Sequence, residues 1–117
     1  MSNVIYLNQR KVERKPVEWD AVASIGDLWM RGQVLDYSHK GLFFKPEFAY
    51  VDGEIVQGDD VLDHIDSKDC VKVTIMNGQQ KPQATFISVI RWAGKSSEHG
   101  CVGFGSELFE ASNKLAA

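Results

Sequence analysis

Apolar and polar positions alternate along much of this chain in the manner of short β-strands. In residues 17–23 the apolar side chains occupy every second position, the period of a strand with one buried face. Similar short segments follow, and Gly, Asn, Asp or Pro residues separate them. The predicted strands cover residues 17–23, 28–35, 42–44, 70–75, 83–92 and 100–104. Consecutive short strands predict an all-β fold, a small six-stranded antiparallel β-barrel.

Three segments depart from the strand pattern. Residues 1–15 are polar, with a basic cluster ahead of Pro16, which disfavours helix at the preceding residue, so a flexible arm is expected there. Residues 47–69 hold eight acidic residues against one lysine and predict an acidic loop with a short helical turn capped by Asp60. This loop is a partner-binding segment, a lid or an indifferent insertion. Apolar residues near helical spacing in residues 106–117 predict a short C-terminal helix.

One domain accounts for the whole chain, residues 1–117. Folded domains cluster near about 100–150 residues, and 44% apolar with 25% charged residues is typical of a soluble globular protein. The apolar runs are far shorter than the roughly 20 residues needed to cross a bilayer, and residues 1–8 lack the features of a secretory signal. We therefore expect a cytoplasmic protein that does not insert into membranes.

The net charge of −3 is unevenly distributed. Acidic residues concentrate in residues 47–69, so the rest of the chain is net positive. General binding to DNA or RNA would require an extended basic face that neutralises many phosphates. The acidic balance therefore argues against a DNA- or RNA-binding protein.

The cysteines and histidines form no recognisable catalytic or metal-binding pattern in the sequence. Cys70 and Cys101 are far apart, with no cysteine or histidine at zinc-ligand spacing, so both are predicted to be buried, reduced thiols. His39 and His64 have no carboxylate or cysteine at a spacing typical of catalysis, and His99 falls in a predicted hairpin turn. Neither an enzymatic activity nor a metal cofactor is expected.

Two arginines in the arm, Arg10 and Arg14, are separated by three residues. Each guanidinium presents a planar fork of donors that matches the O6 and N7 acceptors of guanine, with discrimination of about 1–3 kcal/mol per base. Alone, such a pair is more often two solvated surface charges. The pair gains weight only beside a second motif.

That second motif is the segment from Asp36 to Gly41, between the second and third predicted strands. The carboxylate of Asp36 can accept hydrogen bonds from a base or an arginine, and the Ser38 hydroxyl can contact a phosphate. Gly41 permits a positive φ, so the segment is also typical of an ordinary β-turn with no further role.

Taken together, the two segments resemble the signature of the PilZ family, which is Arg-x-x-x-Arg, two strands, and then Asp/Asn-x-Ser-x-x-Gly. The chain reads Arg10-Lys-Val-Glu-Arg14 and, two predicted strands later, Asp36-Tyr-Ser38-His-Lys-Gly41. The similarity continues in order through Lys15-Pro16-Val17, Gly41-Leu42-Phe43, Val89-Ile90-Arg91-Trp92 and Gly100-Cys101-Val102-Gly103-Phe104. It implies a six-stranded β-barrel that binds the signalling dinucleotide cyclic di-GMP.

The resemblance also implies which residues contact this ligand. The arginine pair would lie on the guanines and phosphates and the second motif would line the opposite wall, so the ligand-binding set is Arg10, Arg14, Asp36, Ser38 and Gly41. Supporting positions are Gln9, Lys11, Lys15, His39, Lys40 and Trp92. Trp92 either stacks on a guanine, for about 1–3 kcal/mol, or packs in the barrel wall. Many family members carry a basic residue at the position of Gln9, a position expected to influence whether one or two ligand molecules bind per site. The ligand stoichiometry is therefore left open.

The function implied by the resemblance is that of a receptor without catalytic activity. It would bind cyclic di-GMP, order its arm and change its affinity for an effector protein in motility, adhesion, biofilm formation or secretion, as a monomer or weak homodimer. A ligand-independent PilZ interaction domain, for example in type IV pilus function, is disfavoured by the intact motif residues. An oligonucleotide-binding barrel that stacks bases on Trp19, Trp29 and Phe43 is disfavoured by the acidic balance.

Overall fold

A computed structural model of the chain describes residues 15–111, with side chains as far as residue 109. Within these residues the chain forms seven β-strands and one short 3-10 helix. The elements in chain order are β1 (Lys15–Ile25), β2 (Leu28–Ser38), β3 (Gly41–Val51), β4 (Glu54–Gln57), the 3-10 helix (Gly58–His64), β5 (Cys70–Met76), β6 (Pro82–Ser96) and β7 (Cys101–Ala111). Each predicted strand lies within or overlaps one of these strands. Residues 1–14 of the predicted arm lie outside the described residues.

Six of the strands close into a ring in which every pair is antiparallel. The order is β2, β1, β5, β6, β7 and β3, and β3 pairs back with β2. The fourth strand, β4, pairs with the second half of β3, whereas β7 pairs with the first half. The predicted all-β antiparallel fold is therefore confirmed, with β4 as an additional strand.

The core fills the inside of this ring. Its largest fully buried apolar side chains include Met30, Val34, Phe44, Ile90 and Phe104, and the rings of Phe44 and Phe104 lie 5.3 Å apart. Val61 and Ile65, in and just after the 3-10 helix, also join the core. Phe43 is equally buried but does not belong to this cluster, because consecutive residues of a strand point to opposite faces. Its ring lies on the outer face of the sheet.

Residues 47–69 are more regular than the predicted acidic loop. β3 continues to Val51, a two-residue turn of Asp52 and Gly53 follows, and β4 pairs back along β3. Both turn residues have positive φ, 52° and 84°, the geometry that suits a tight hairpin. Acidic residues are poor strand formers, so the composition predicted a loop in place of this hairpin. The predicted helical turn is present as the 3-10 helix, but the predicted cap is wrong: Asp60 lies in the first turn of the helix, and the N-cap residue is Gln57, which makes no side-chain capping bond.

The predicted C-terminal helix is wrong for residues 106–111, which form the end of β7. Ser106 pairs with Ile90 of β6 and with Leu42 of β3, so this segment closes the ring. Backbone pairing on both sides outweighs the weak helical preference of a short apolar pattern. Residues 112–117 lie outside the described residues.

The predicted burial of the two cysteines is also wrong. Cys70 is exposed and Cys101 is half-buried, and both are free thiols. Each is the first residue of its strand, at the rim of the ring, where neighbouring strands cover less of a side chain. Within residues 15–111, no helix has the length and apolar character to cross a membrane.

Candidate functional site

One row of directly paired residues crosses the outer face of the ring at the end near the β2–β3 turn. Asp36 of β2 pairs with Pro16 of β1 on one side and with Phe43 of β3 on the other. Gly105 of β7 pairs with Phe43 and, on its far side, with Trp92 of β6. Directly opposite residues of antiparallel strands present their side chains on the same face. We call Pro16, Asp36, Phe43, Gly105 and Trp92 the outer row.

Two glycines of β7 make room for aromatic rings on this face. A Cβ at Gly105 would overlap Nε1 of Trp92, and a Cβ at Gly103 would lie 2.6 Å from Cζ of Phe43. Because these positions carry no side chain, the Trp92 and Phe43 rings come together, with centroids 5.5 Å apart and planes 26° apart. Glycine inside a strand is typical of such a close approach.

His99, in the turn between β6 and β7, completes the stack. Its ring lies nearly parallel to that of Phe43, with centroids 4.5 Å apart and planes 19° apart. Its Nε2 donates a hydrogen bond of 2.6 Å to Oδ2 of Asp36, since a carboxylate can only accept. The Asp36 side chain is 4% exposed and that of His99 is 14% exposed. A carboxylate buried to this degree requires hydrogen-bond partners, and His99 provides one.

The turn that carries His99 is held at Ser96, the last residue of β6. The backbone N–H of His99 donates to Oγ of Ser96 at 3.2 Å, and the N–H of Gly100 donates to the Ser96 carbonyl oxygen at 2.8 Å. Gly100 has a φ of +70°, a conformation that glycine adopts without steric cost. These bonds place the His99 ring over the outer row.

The residues of the second motif meet at the end of the β2–β3 hairpin. Asp36, Ser38 and Gly41 are all buried, and the first two belong to β2, so the turn itself contains only His39 and Lys40. Oγ of Ser38 accepts the backbone N–H of Lys40 at 3.1 Å, which stabilises this short turn.

Gly41 has a different role from the one predicted. Its φ is not positive, and a Cβ there would overlap the carbonyl oxygen of Ser106. The glycine is required because β3 and β7 approach closely at this point, not because the turn needs a left-handed residue. Its predicted contact with a ligand remains a prediction.

The predicted basic residues fall into two groups. Lys15, His39 and Lys40 are exposed, and Lys15 pairs with Tyr37, which lies between Asp36 and Ser38 in β2. The remaining predicted residues of the arm lie outside the described residues: Gln9, Arg10, Lys11 and Arg14. The peptide bond between Arg14 and Lys15 nevertheless joins the arginine motif to β1 beside the second motif.

An open cavity of about 550 Å³ lies beside His99. Its lining is formed by Pro16, Val17, Glu18, Leu35 and His99. The cavity is wide open to solvent. The cavity therefore lies between the start of β1, where the arm is attached, and the aromatic stack.

One group of described residues offers a set of metal-ligand atoms. Asp36, Glu98 and His99 each present one such atom, and these atoms lie within 4.8 Å of one another. Nitrogen and carboxylate ligands suit ions such as Zn²⁺. The hydrogen bond between His99 and Asp36 already satisfies two of the three groups, and an ion would have to replace it. The geometry is explained without a metal.

Sequence reasoning located Asp36 and Trp92 but missed the residues that connect them. Phe43 and His99 belong to the site, although His99 lies 63 residues from Asp36 along the chain. The available signal was Gly103-Phe104-Gly105, since glycine at alternate positions of a strand indicates space for something on one face. Trp92 is 41% exposed and stacks on Phe43, so neither of its two predicted roles alone describes it.

Comparison with known proteins yields similarity in fold. No protein-family model and no curated protein matches the sequence. Among solved structures, the chain is similar to the Bacillus subtilis inhibitor of motility, MotI/DgrA, with a TM-score of 0.60 and 14% sequence identity. The match covers 92% of this chain and 46% of that chain, so this chain spans about half the length of that protein. At this identity the likeness shows a shared fold.

Proposed function

We propose that this chain is a regulatory receptor that binds cyclic di-GMP at the outer row and thereby changes its affinity for an effector protein. The observation that carries the proposal is the pairing of Pro16 with Asp36 and of Lys15 with Tyr37. This pairing attaches the arginine arm beside a buried carboxylate, an aromatic stack and a cavity. The shared fold with an inhibitor of motility supports a regulatory role, with motility as the first process to test.

The chemistry of the described residues suits a guanine base. Guanine offers N–H donors on its Watson–Crick edge, and the carboxylate of Asp36 can only accept. Stacking of a base on an aromatic ring contributes about 1–3 kcal/mol, and the outer row contains Phe43 and Trp92.

The phosphates and the other guanine edge require cations, which the arm carries. Arg10 and Arg14 would supply bidentate, charge-assisted hydrogen bonds, each worth about 1.5–3 kcal/mol. These bonds would offset the loss of backbone entropy on fixing the arm, about 1–2 kcal/mol per residue. In this proposal ligand binding fixes residues 8–16 against the outer row and creates a new surface for the effector.

A ligand-independent interaction domain is the alternative. It is favoured by one observation: Phe43 is only 1% exposed and His99 already bonds to Asp36, so these two residues of the outer row, Phe43 and Asp36, are covered without any ligand. The two functions differ in whether cyclic di-GMP binds at all.

Calorimetric titration of the full chain with cyclic di-GMP tests the proposal, with GTP as a control ligand. We expect micromolar or tighter binding that Arg14→Ala weakens by at least about 30-fold, consistent with the loss of one bidentate pair. Arg31→Ala is the matched control, because Arg31 lies at the other end of β2 and should leave binding unchanged. Absence of binding by the intact chain would support the ligand-independent interaction domain instead.

A further inference from the structure

His99 lines the open cavity and contacts both groups that would recognise a base. The cavity of about 550 Å³ is lined by His99, but Phe43 and Asp36 do not line it. The imidazole lies against Phe43 on one face and bonds to Asp36 through its edge. Of these three residues, His99 is the one that lines the cavity.

The way His99 is held shows what this position accepts. A planar nitrogen heterocycle stacks on Phe43 with planes 19° apart, and an N–H on its edge donates to a carboxylate that is 4% exposed. A nucleobase that stacks on the same ring and donates to the same oxygen would make the same two interactions with a larger ring. The imidazole thus occupies a subsite built for a planar heterocycle with an N–H donor.

We propose that His99 is an internal competitor for a nucleobase, and that a guanine takes its place on Phe43 and Asp36 when the ligand binds. The choice of guanine rests on the proposed function and on donor chemistry. Guanine presents adjacent N–H donors on its Watson–Crick edge, whereas adenine presents a ring nitrogen acceptor there, which would face the acceptor Oδ2 of Asp36. The subsite therefore prefers guanine to adenine.

The turn of residues 97–100 can carry His99 out of the subsite. Its last residue, Gly100, has a φ of +70°, and residues 97 and 98 are exposed. Movement of the turn would also carry the Glu98 carboxylate, now within 4.8 Å of the Asp36 and His99 ligand atoms, away from an anionic ligand. Ligand binding is thereby coupled to the position of the β6–β7 turn.

Titration of cyclic di-GMP into three variants of the full chain tests the competition. His99→Ala removes the competitor and should bind about 10-fold more tightly than the wild type. His99→Phe keeps a ring on Phe43 without the N–H donor and should bind no more tightly than the wild type. His64→Ala, a histidine of the 3-10 helix, is the matched control and should leave affinity unchanged. Equal or weaker binding by His99→Ala would overturn the proposal.

A second measurement does not depend on cyclic di-GMP. GMP and AMP are titrated into wild type and His99→Ala, and the amide signals of Phe43 and Gly105 are followed by NMR. We expect GMP to shift these signals in His99→Ala at concentrations at least about 10-fold lower than in the wild type, and AMP to be weaker than GMP. If GMP shifts neither protein's signals, the subsite does not exist.

The two measurements separate the two proposals. Binding of GMP to His99→Ala without any binding of cyclic di-GMP would refute the receptor function and retain the subsite. Wild-type binding of cyclic di-GMP that His99→Ala fails to improve would retain the receptor function and refute the competition. Should His99→Ala not fold, His99→Gln replaces it, because glutamine keeps an N–H donor for Asp36 and uncovers the Phe43 ring.

Discussion

The outer face of the β2–β3 hairpin has aromatic side chains at both of its ends. The two ends differ in how deeply those side chains are buried: one end is covered and the other is open to solvent. At the covered end, Phe43 stacks on both Trp92 and His99 and is 1% exposed. At the open end, Tyr50 packs 5.3 Å from Trp29 and remains 43% exposed. Tyr50 also contacts Phe48 edge-on, with ring centroids 5.9 Å apart, so two aromatic contacts do not by themselves bury a ring on this face.

The second neighbour of β3 explains the difference. Beside Phe43 this neighbour is β7, where Gly105 leaves space for Trp92 from the next strand. Beside Tyr50 it is β4, the last strand in the sheet order, where Ile55 is itself 56% exposed. A buried subsite forms where glycine and a further strand allow a second layer of side chains. The open end lacks that second layer among the described residues.

Truncation of one ring at each end is the most direct test of this difference in burial. Phe43→Ala should lower the free energy of unfolding by about 3–5 kcal/mol, the usual loss for a buried phenylalanine. Tyr50→Ala should lower it by only about 1 kcal/mol, because much of that ring already faces solvent. Urea denaturation of both variants measures the difference. Equal losses in the free energy of unfolding would show that burial does not determine how much each ring stabilises the fold.

Filling the space left by a glycine tests the second layer. A Cβ at Gly103 would overlap the carbonyl oxygen of Phe44 and approach the Phe43 ring, so Gly103→Ala should destabilise the fold by about 1–3 kcal/mol. Gly78→Ala is the control, since a Cβ there meets no atom within 4 Å. Thermal unfolding compares the two. A Gly103→Ala protein as stable as the control would mean that the strands can separate freely here.

Neutralising the Asp36 carboxylate, which bonds to His99, should lower stability by less than Gly103→Ala does. Asp36→Asn replaces a charge-assisted hydrogen bond with a neutral one, which should cost about 1 kcal/mol of stability. Asp20→Asn, whose carboxylate accepts a long bond of 3.5 Å from Gln33, should change stability by less than about 0.5 kcal/mol. Histidine NMR signals should shift in the first variant and not in the second. An unchanged His99 signal in Asp36→Asn would contradict the assigned contact.

The smallest effect is expected at the exposed ion pair of the covered end. Arg91 and Glu107 bond across β6 and β7 at 2.7 Å, but their side chains are 57% and 53% exposed. Solvent and salt screen such pairs, so Arg91→Ala should change the free energy of unfolding by about 0–0.5 kcal/mol. Denaturation at low and high salt checks this. A loss larger than that of Asp36→Asn would reverse the assigned importance of the two contacts.

The strands were predictable because their pattern is local. Alternation in residues 17–23 and the turn residues between strands depend on neighbouring positions in the chain, and the structure contains strands at every predicted segment. The second motif could also be placed at the end of a hairpin. The β3–β4 hairpin was missed although Asp52-Gly53 is a typical two-residue hairpin turn, because the acidic composition around it favours a loop.

The sequence alone was enough to infer an all-β chain, the approximate positions of six of its strands and the placement of Asp36, Ser38 and Gly41 at one hairpin end. Only the tertiary structure decided that residues 106–111 extend β7, that Cys70 faces solvent and that His99 covers Phe43. These features depend on which strands become neighbours when the ring closes. The bond between Asp36 and His99 joins residues 63 positions apart, and no local pattern encodes a contact at that separation.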